Sequence, residues 1–123
     1  MLYSKKVMDH FKNPRNLGEL KNADIEAQVG NPTCGDIMKL YLKIKDKKIK
    51  DIGFETLGCG AAIACSSMIT QEAKGKTLSA AKKINKDLIV KKLGGLPKPK
   101  VHCSMLAIEA LQKAIKNYEE STK

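Results

Sequence analysis

Leu57-Gly58-Cys59-Gly60-Ala61-Ala62-Ile63-Ala64 is the stretch at which the chain changes its period. Upstream of it, apolar and polar residues alternate as they do in half-buried strands. Downstream, small and apolar residues run on without alternation, as in a packed helix. A strand therefore turns into a helix at Cys59. The flanking glycines leave its thiol uncovered and admit a backbone or an ion closely. A cysteine ahead of a helix N-terminus also meets the positive end of the dipole, which favours the thiolate.

Working backwards, Ile52, Phe54 and Thr56 face one way in the strand that leads into this bend. Asp46-Lys47-Lys48 is a short turn. Before it, Met38, Leu40, Leu42 and Ile44 lie on one face, with Lys39, Tyr41, Lys43 and Lys45 on the other. Ile25, Ala27 and Val29 alternate with Glu26 and Gln28 in a first strand, ended by Asn31-Pro32. Links this short imply antiparallel neighbours. Residues 2–12 read as a helix with Tyr3, Val7, Met8 and Phe11 as its apolar side, stopped by Asn13-Pro14. His10 reads as a surface or packing residue.

Working forwards, Ala61 to Lys74 is a helix closed by Gly75. Thr77 and Asn85 are N-caps of two short helices, the second ending at Gly94-Gly95. Leu96-Pro97-Lys98-Pro99-Lys100 is predicted to run extended. A last helix starts near His102 or Cys103, with Met105, Ile108, Leu111, Ile115 and Tyr118 as its buried stripe, and Glu119 to Lys123 are predicted to fray. Strands followed by helices on one chain make an α+β fold, read as a single domain over residues 1–123.

Composition narrows the function classes. The 123 residues carry a net charge of +10 and are 42% hydrophobic, and no apolar run reaches membrane-spanning length. Met1 to Lys6 lead into an amphipathic segment without an apolar signal core, which predicts a cytoplasmic protein. Four cysteines could form two disulfides only in an oxidising compartment, so they read as ligands or reactive thiols. Every basic residue but Arg15 is a lysine, and there is no Trp. Base readout and base stacking favour Arg and aromatics, so the excess charge counts against nucleic-acid binding. It reads as a solvated lysine surface or an attraction for acidic protein partners.

Cys34, in Asn31-Pro32-Thr33-Cys34-Gly35-Asp36, precedes the second strand, and Cys59 follows the third. Antiparallel pairing brings both to one edge of the sheet. Cys103, in His102-Cys103-Ser104, opens the last helix and is inferred to reach the same place. Cys65, six residues into the helix after Cys59, reads as a small buried residue. Three thiolates need a fourth donor to close a tetrahedral zinc site or a two-iron cluster. Asp36 and His102 are both candidates for it, which suggests exchange between them. No C-x-x-C pair is present, so the spacing matches neither a zinc ribbon nor a ferredoxin.

Taken in order, these residues resemble the scaffold proteins of iron–sulfur cluster assembly, the IscU-like proteins and the N-terminal domain of NifU. The likeness runs through Tyr3-Ser4, Asp9-His10-Phe11, Asn13-Pro14-Arg15-Asn16, Val29-Gly30-Asn31-Pro32 and Cys34-Gly35-Asp36. It continues in Gly58-Cys59-Gly60, Gly75-Lys76-Thr77-Leu78 and His102-Cys103-Ser104.

The resemblance implies a three-stranded antiparallel sheet on which the N-terminal and C-terminal helices pack. It implies that Cys34, Cys59 and Cys103 hold a transient [2Fe–2S] cluster. Asp36 would keep that cluster labile, and His102 would be an alternative ligand. Cys103 would accept persulfide sulfur, and zinc would fit the same ligands. The implied role is that of a carrier, not an enzyme, and the implied partners are a cysteine desulfurase, apo iron–sulfur clients and a ferredoxin or frataxin-like donor. Lys98-Pro99 departs from the family's Leu-Pro-Pro-Val-Lys, which counts against a dedicated Hsp70-type chaperone. The SufU-type insertion between the second and third cysteines is absent. That favours a scaffold over the alternative, a zinc-bound sulfur carrier accepting persulfide.

Overall fold

Strict alternation in the second strand produces one apolar face, and that face decides what packs where. In the computed structural model, which describes residues 3–31 and 35–122, β1 (Ile25–Asn31), β2 (Asp36–Lys45) and β3 (Lys48–Leu57) form an antiparallel sheet in that order. Met38, Leu40, Leu42 and Ile44 of β2 are all buried, as the pattern predicts. The sheet pairs Ala27 with Leu40 and Leu40 with Phe54. A bulge beside Lys43 and Ile44 shifts the register so that Lys43 faces Asp51 while Ile44 faces Ile49. An extra residue reverses which side the following positions face. Ile49 is therefore buried together with Ile52, although the two are three apart.

The helices are α1 (Lys5–Lys12), α2 (Gly60–Ala73), α3 (Leu78–Ala81), α4 (Lys86–Lys92) and α5 (His102–Ser121). Helices α2 and α5 pack on the apolar face of the sheet, and α1 packs on α2. Small residues make the close approach possible, since Ala61, Ala64, Ala73, Ala107, Ala110 and Ala114 are all buried. Thr77 and Asn85 cap α3 and α4 by accepting the backbone N–H of Ala80 and Leu88. Gly75, Gly94 and Gly95 all take positive φ after helix ends, where a side chain would be strained.

Several expectations need correction. Helix α1 begins at Lys5 instead of residue 2, because Ser4 is its N-cap: the hydroxyl accepts the Val7 N–H and donates to the Leu93 carbonyl. Its buried face is centred on Val7 and His10, and Phe11 is half exposed. Tyr41, expected on the outer face, is 2% exposed. The loop after α1 folds across that face, and a Cβ at Gly53 would lie 2.6 Å from the Gly18 carbonyl oxygen and 3.5 Å from Leu20. Lys98–Lys100 forms a 3₁₀ turn and is not extended. Met105 is exposed because it sits two residues, about 200°, from Ala107 on the buried line of α5. The tail does not fray at Glu119, which pairs with Lys82 at 2.7 Å while the helix continues to Ser121.

His10 locks α1 onto α2. Its Nδ1 is 2.7 Å from Ser67 Oγ, and the same oxygen accepts the Arg15 N–H at 2.8 Å. Ser67 Oγ thus ties the imidazole of α1 and the backbone of the following loop to α2. Burial lowers the His10 pKa, Arg15 and Lys6 lower it further, and Asp9 opposes them. The unfolded chain thus takes up a proton more readily than the folded one. Stability from this residue is complete above about pH 6.5 and is lost as pH falls through the depressed folded value. Urea melts between pH 7.5 and 5 should show that fall, and His10→Gln should flatten it. An unchanged slope in the variant would exclude His10 as its source.

Candidate metal centre

Three elements end at one corner of the fold. Asp36 opens β2, Cys59 follows β3 as the N-cap residue of α2, and Cys103 lies in the first turn of α5. The register pairs Ile37 with Leu57, so the next positions along, Asp36 and Gly58, lie side by side. One ligand atom from each of Asp36, Cys59 and Cys103 falls within 4.8 Å of the other two. The two sulfurs are 3.8 Å apart. His102 is exposed, with its Nε2 3.8 Å from Cys103 Sγ, so it stands at the rim of the cluster of donors. Cys34 lies outside the described residues.

The arrangement differs in exposure from one donor to the next. Cys103 is 1% exposed and Asp36 7%, whereas Cys59 is partly open. Cys59 uses no side-chain hydrogen bond to cap α2, which leaves its sulfur available. Burial pushes the Cys103 thiol up to about 12, with Cys59 and Asp36 adding to the effect. At neutral pH Cys103 therefore holds a proton that an arriving cation must displace. Cys65 is wholly buried inside α2, and burial raises its pKa as well, in keeping with a packing role.

Lys100 joins these residues although the sequence does not mark it. Its pKa is raised chiefly by the charge of Cys59, then by Tyr3, with Cys103 adding to it, so it belongs to the electrostatic surroundings of the sulfur pair. Its position in the 3₁₀ turn just before α5 is what brings it there. A lysine among so many gave no signal of its own. Two sulfurs, a carboxylate and an adjacent imidazole form a mixed S, O, N donor set. Such a set suits zinc or iron.

Residues 2–123 match the family described as NifU-like N terminal domain. The chain belongs to that family. One relative is the iron–sulfur cluster assembly scaffold protein IscU 1 of Archaeoglobus fulgidus, 57% identical over 117 residues. That match covers 95% of this chain and 76% of the relative. The scaffold protein IscU of Buchnera aphidicola subsp. Acyrthosiphon pisum is 48% identical, covering 97% of this chain and 96% of its own. Among solved structures, the N-terminal part of a nitrogen-fixing NifU-like protein from Brucella abortus superposes with a TM-score of 0.76 at 24% identity. It covers 95% of this chain and 94% of that one, and it shares the fold of this NifU-like domain.

Proposed function

We propose that this chain is an iron–sulfur cluster assembly scaffold, and the observation that carries the proposal is the convergence of Asp36, Cys59 and Cys103 at one corner. The family and the named role of its relatives support it. In this reading a [2Fe–2S] cluster is cargo, built on the site and passed on. Cys59 and Cys103 supply two thiolates and Cys34 the third. Asp36 is the oxygen donor and His102 its exchange partner at the rim. A cluster held in part by oxygen or nitrogen leaves more readily than one held by four thiolates, and release is what a scaffold needs.

Sulfur arrives as a persulfide on a cysteine desulfurase. Cys103 gives up its thiol proton to solvent as it attacks the outer sulfur, forms Cys103–S–SH and releases the donor's own thiolate. Two electrons from a ferredoxin-type donor then reduce the outer sulfur to sulfide and free Cys103. The chain is reloaded after each transfer and acts as a carrier, not an enzyme, in the cytoplasm. Phe11, Ile37, Leu57 and Met105 support protein partners at this corner. All four are large, apolar and exposed, and each touches or adjoins a segment bearing the site.

Anaerobic reconstitution with ferrous iron, cysteine and a cysteine desulfurase tests the reading. The expected result is a visible-absorbing cluster that transfers to an apo-ferredoxin. Tight zinc with a transferable persulfide and no cluster would instead establish a sulfur carrier.

A further inference from the structure

Asp36 opens β2 whereas Cys59 follows β3, so the carboxylate must lean over the end of β3 to stand beside the sulfurs. In a regular antiparallel pair, facing Cβ atoms stand about 4.5–5.5 Å apart. Here the carboxylate leans over its neighbour so far that a Cβ at Gly58 would lie 2.7 Å from Asp36 Oδ1 and 3.0 Å from its carboxyl carbon. The same atom would be 3.2 Å from Ala62 Cβ. Gly58 does not have positive φ, so backbone conformation does not require glycine there. Space does. The bare Cα of residue 58 is the passage through which Asp36 reaches the sulfur pair.

From this crossing we infer that Gly58 is a positioning residue, which sets the reach of the Asp36 carboxylate and through it the donor set offered to a metal. The inference deepens the scaffold reading and rests on it for its biological meaning. Its geometry concerns any divalent cation at the three donors. A methyl group at position 58 leaves Cys59 and Cys103 unaltered and turns the carboxylate back towards β2. Gly58→Ala should therefore reproduce the loss of Asp36.

Co²⁺ binding, followed by its visible bands, reads this in the parent chain, Gly58→Ala, Asp36→Ala and the double variant. Gly58→Ala should weaken Co²⁺ by at least about tenfold, the lower bound set by loss of a group that merely supports a ligand. Its spectrum should match that of Asp36→Ala. In the Asp36→Ala background the same change should alter affinity by less than about twofold, since the group it displaces is gone. Equal losses in both backgrounds, an unchanged affinity, or a parent chain that takes no Co²⁺ would overturn the inference. Should the added methyl prevent folding by pressing on Ala62, Gly58→Ala with Ala62→Gly removes that contact and keeps the comparison. Absence of a cluster in the parent on reconstitution would sink the scaffold reading alone, because the Co²⁺ comparison remains readable.

Discussion

Cys103→Ser is expected to abolish cluster assembly, while Asp36→Ala is expected to prolong the life of a cluster already formed. The two residues share a corner but differ in what their loss removes. Serine is a poor ligand for iron or zinc, and it cannot accept sulfur as a persulfide. Removing a ligand outright should cost more than the roughly 10- to 100-fold that follows loss of a group behind a ligand. Cys59→Ser should behave alike, because its sulfur is 3.8 Å from that of Cys103 and the two act as a pair. Asp36→Ala removes the hard oxygen donor and leaves the sulfurs, so transfer to an apo-ferredoxin should slow. Visible absorption after reconstitution checks the first expectation, and the time course of transfer checks the second. A Cys103→Ser chain that still builds a full cluster, or an Asp36→Ala chain that transfers as fast as the parent, would contradict the assigned roles.

Phe54→Ala should be the most damaging single change away from the site. The ring is completely buried at the centre of β3, opposite Leu40. Its backbone also ties down the loop after α1, donating to the Asn16 carbonyl at 3.0 Å and accepting from the Gly18 N–H at 2.7 Å. Truncating a buried Phe to Ala typically costs about 3–5 kcal/mol through lost burial and the cavity left behind. Against a total stability of roughly 5–15 kcal/mol, that leaves little margin. Urea unfolding of the metal-free chain should show a large drop in midpoint. A loss below about 1 kcal/mol would mean that the surrounding residues collapse into the space.

Much of this architecture is written in periodicity and punctuation. The alternation from Met38 to Ile44, the caps at Thr77 and Asn85, and the closing Gly75 each depend on neighbours a few residues away, and local pattern reports such features well. What escaped the pattern depends on distant segments. Tyr41 looks like a solvent-facing position until the Gly18–Leu20 loop is seen to cover that face. Ile49 is hidden by a bulge whose partner strand must be known. At the site, the antiparallel order already places the start of the second strand beside Cys59, but Cys103 arrives through helix packing that no local spacing encodes. Lys100 carries no local signature at all, and Gly58 is legible as a place of close approach without any sign that the approaching group is Asp36.

The deep setting of Cys103 carries a consequence for timing. At 1% exposure its sulfur is closed to a donor's persulfide in this conformation. The first turn of α5, however, has no side-chain cap, since Val101 at the N-cap position offers no such hydrogen bond and only the 3₁₀ turn Lys98–Lys100 precedes it. Uncapped first turns unravel at lower cost than packed helix interiors. Fraying of this single turn is therefore expected to open the acceptor, and its frequency would limit how often the scaffold can be charged. Amide exchange should then be fast at residues 103–105 and slow from Ala107 to Ile115. Uniform protection along the helix would show instead that a partner must pry the turn apart.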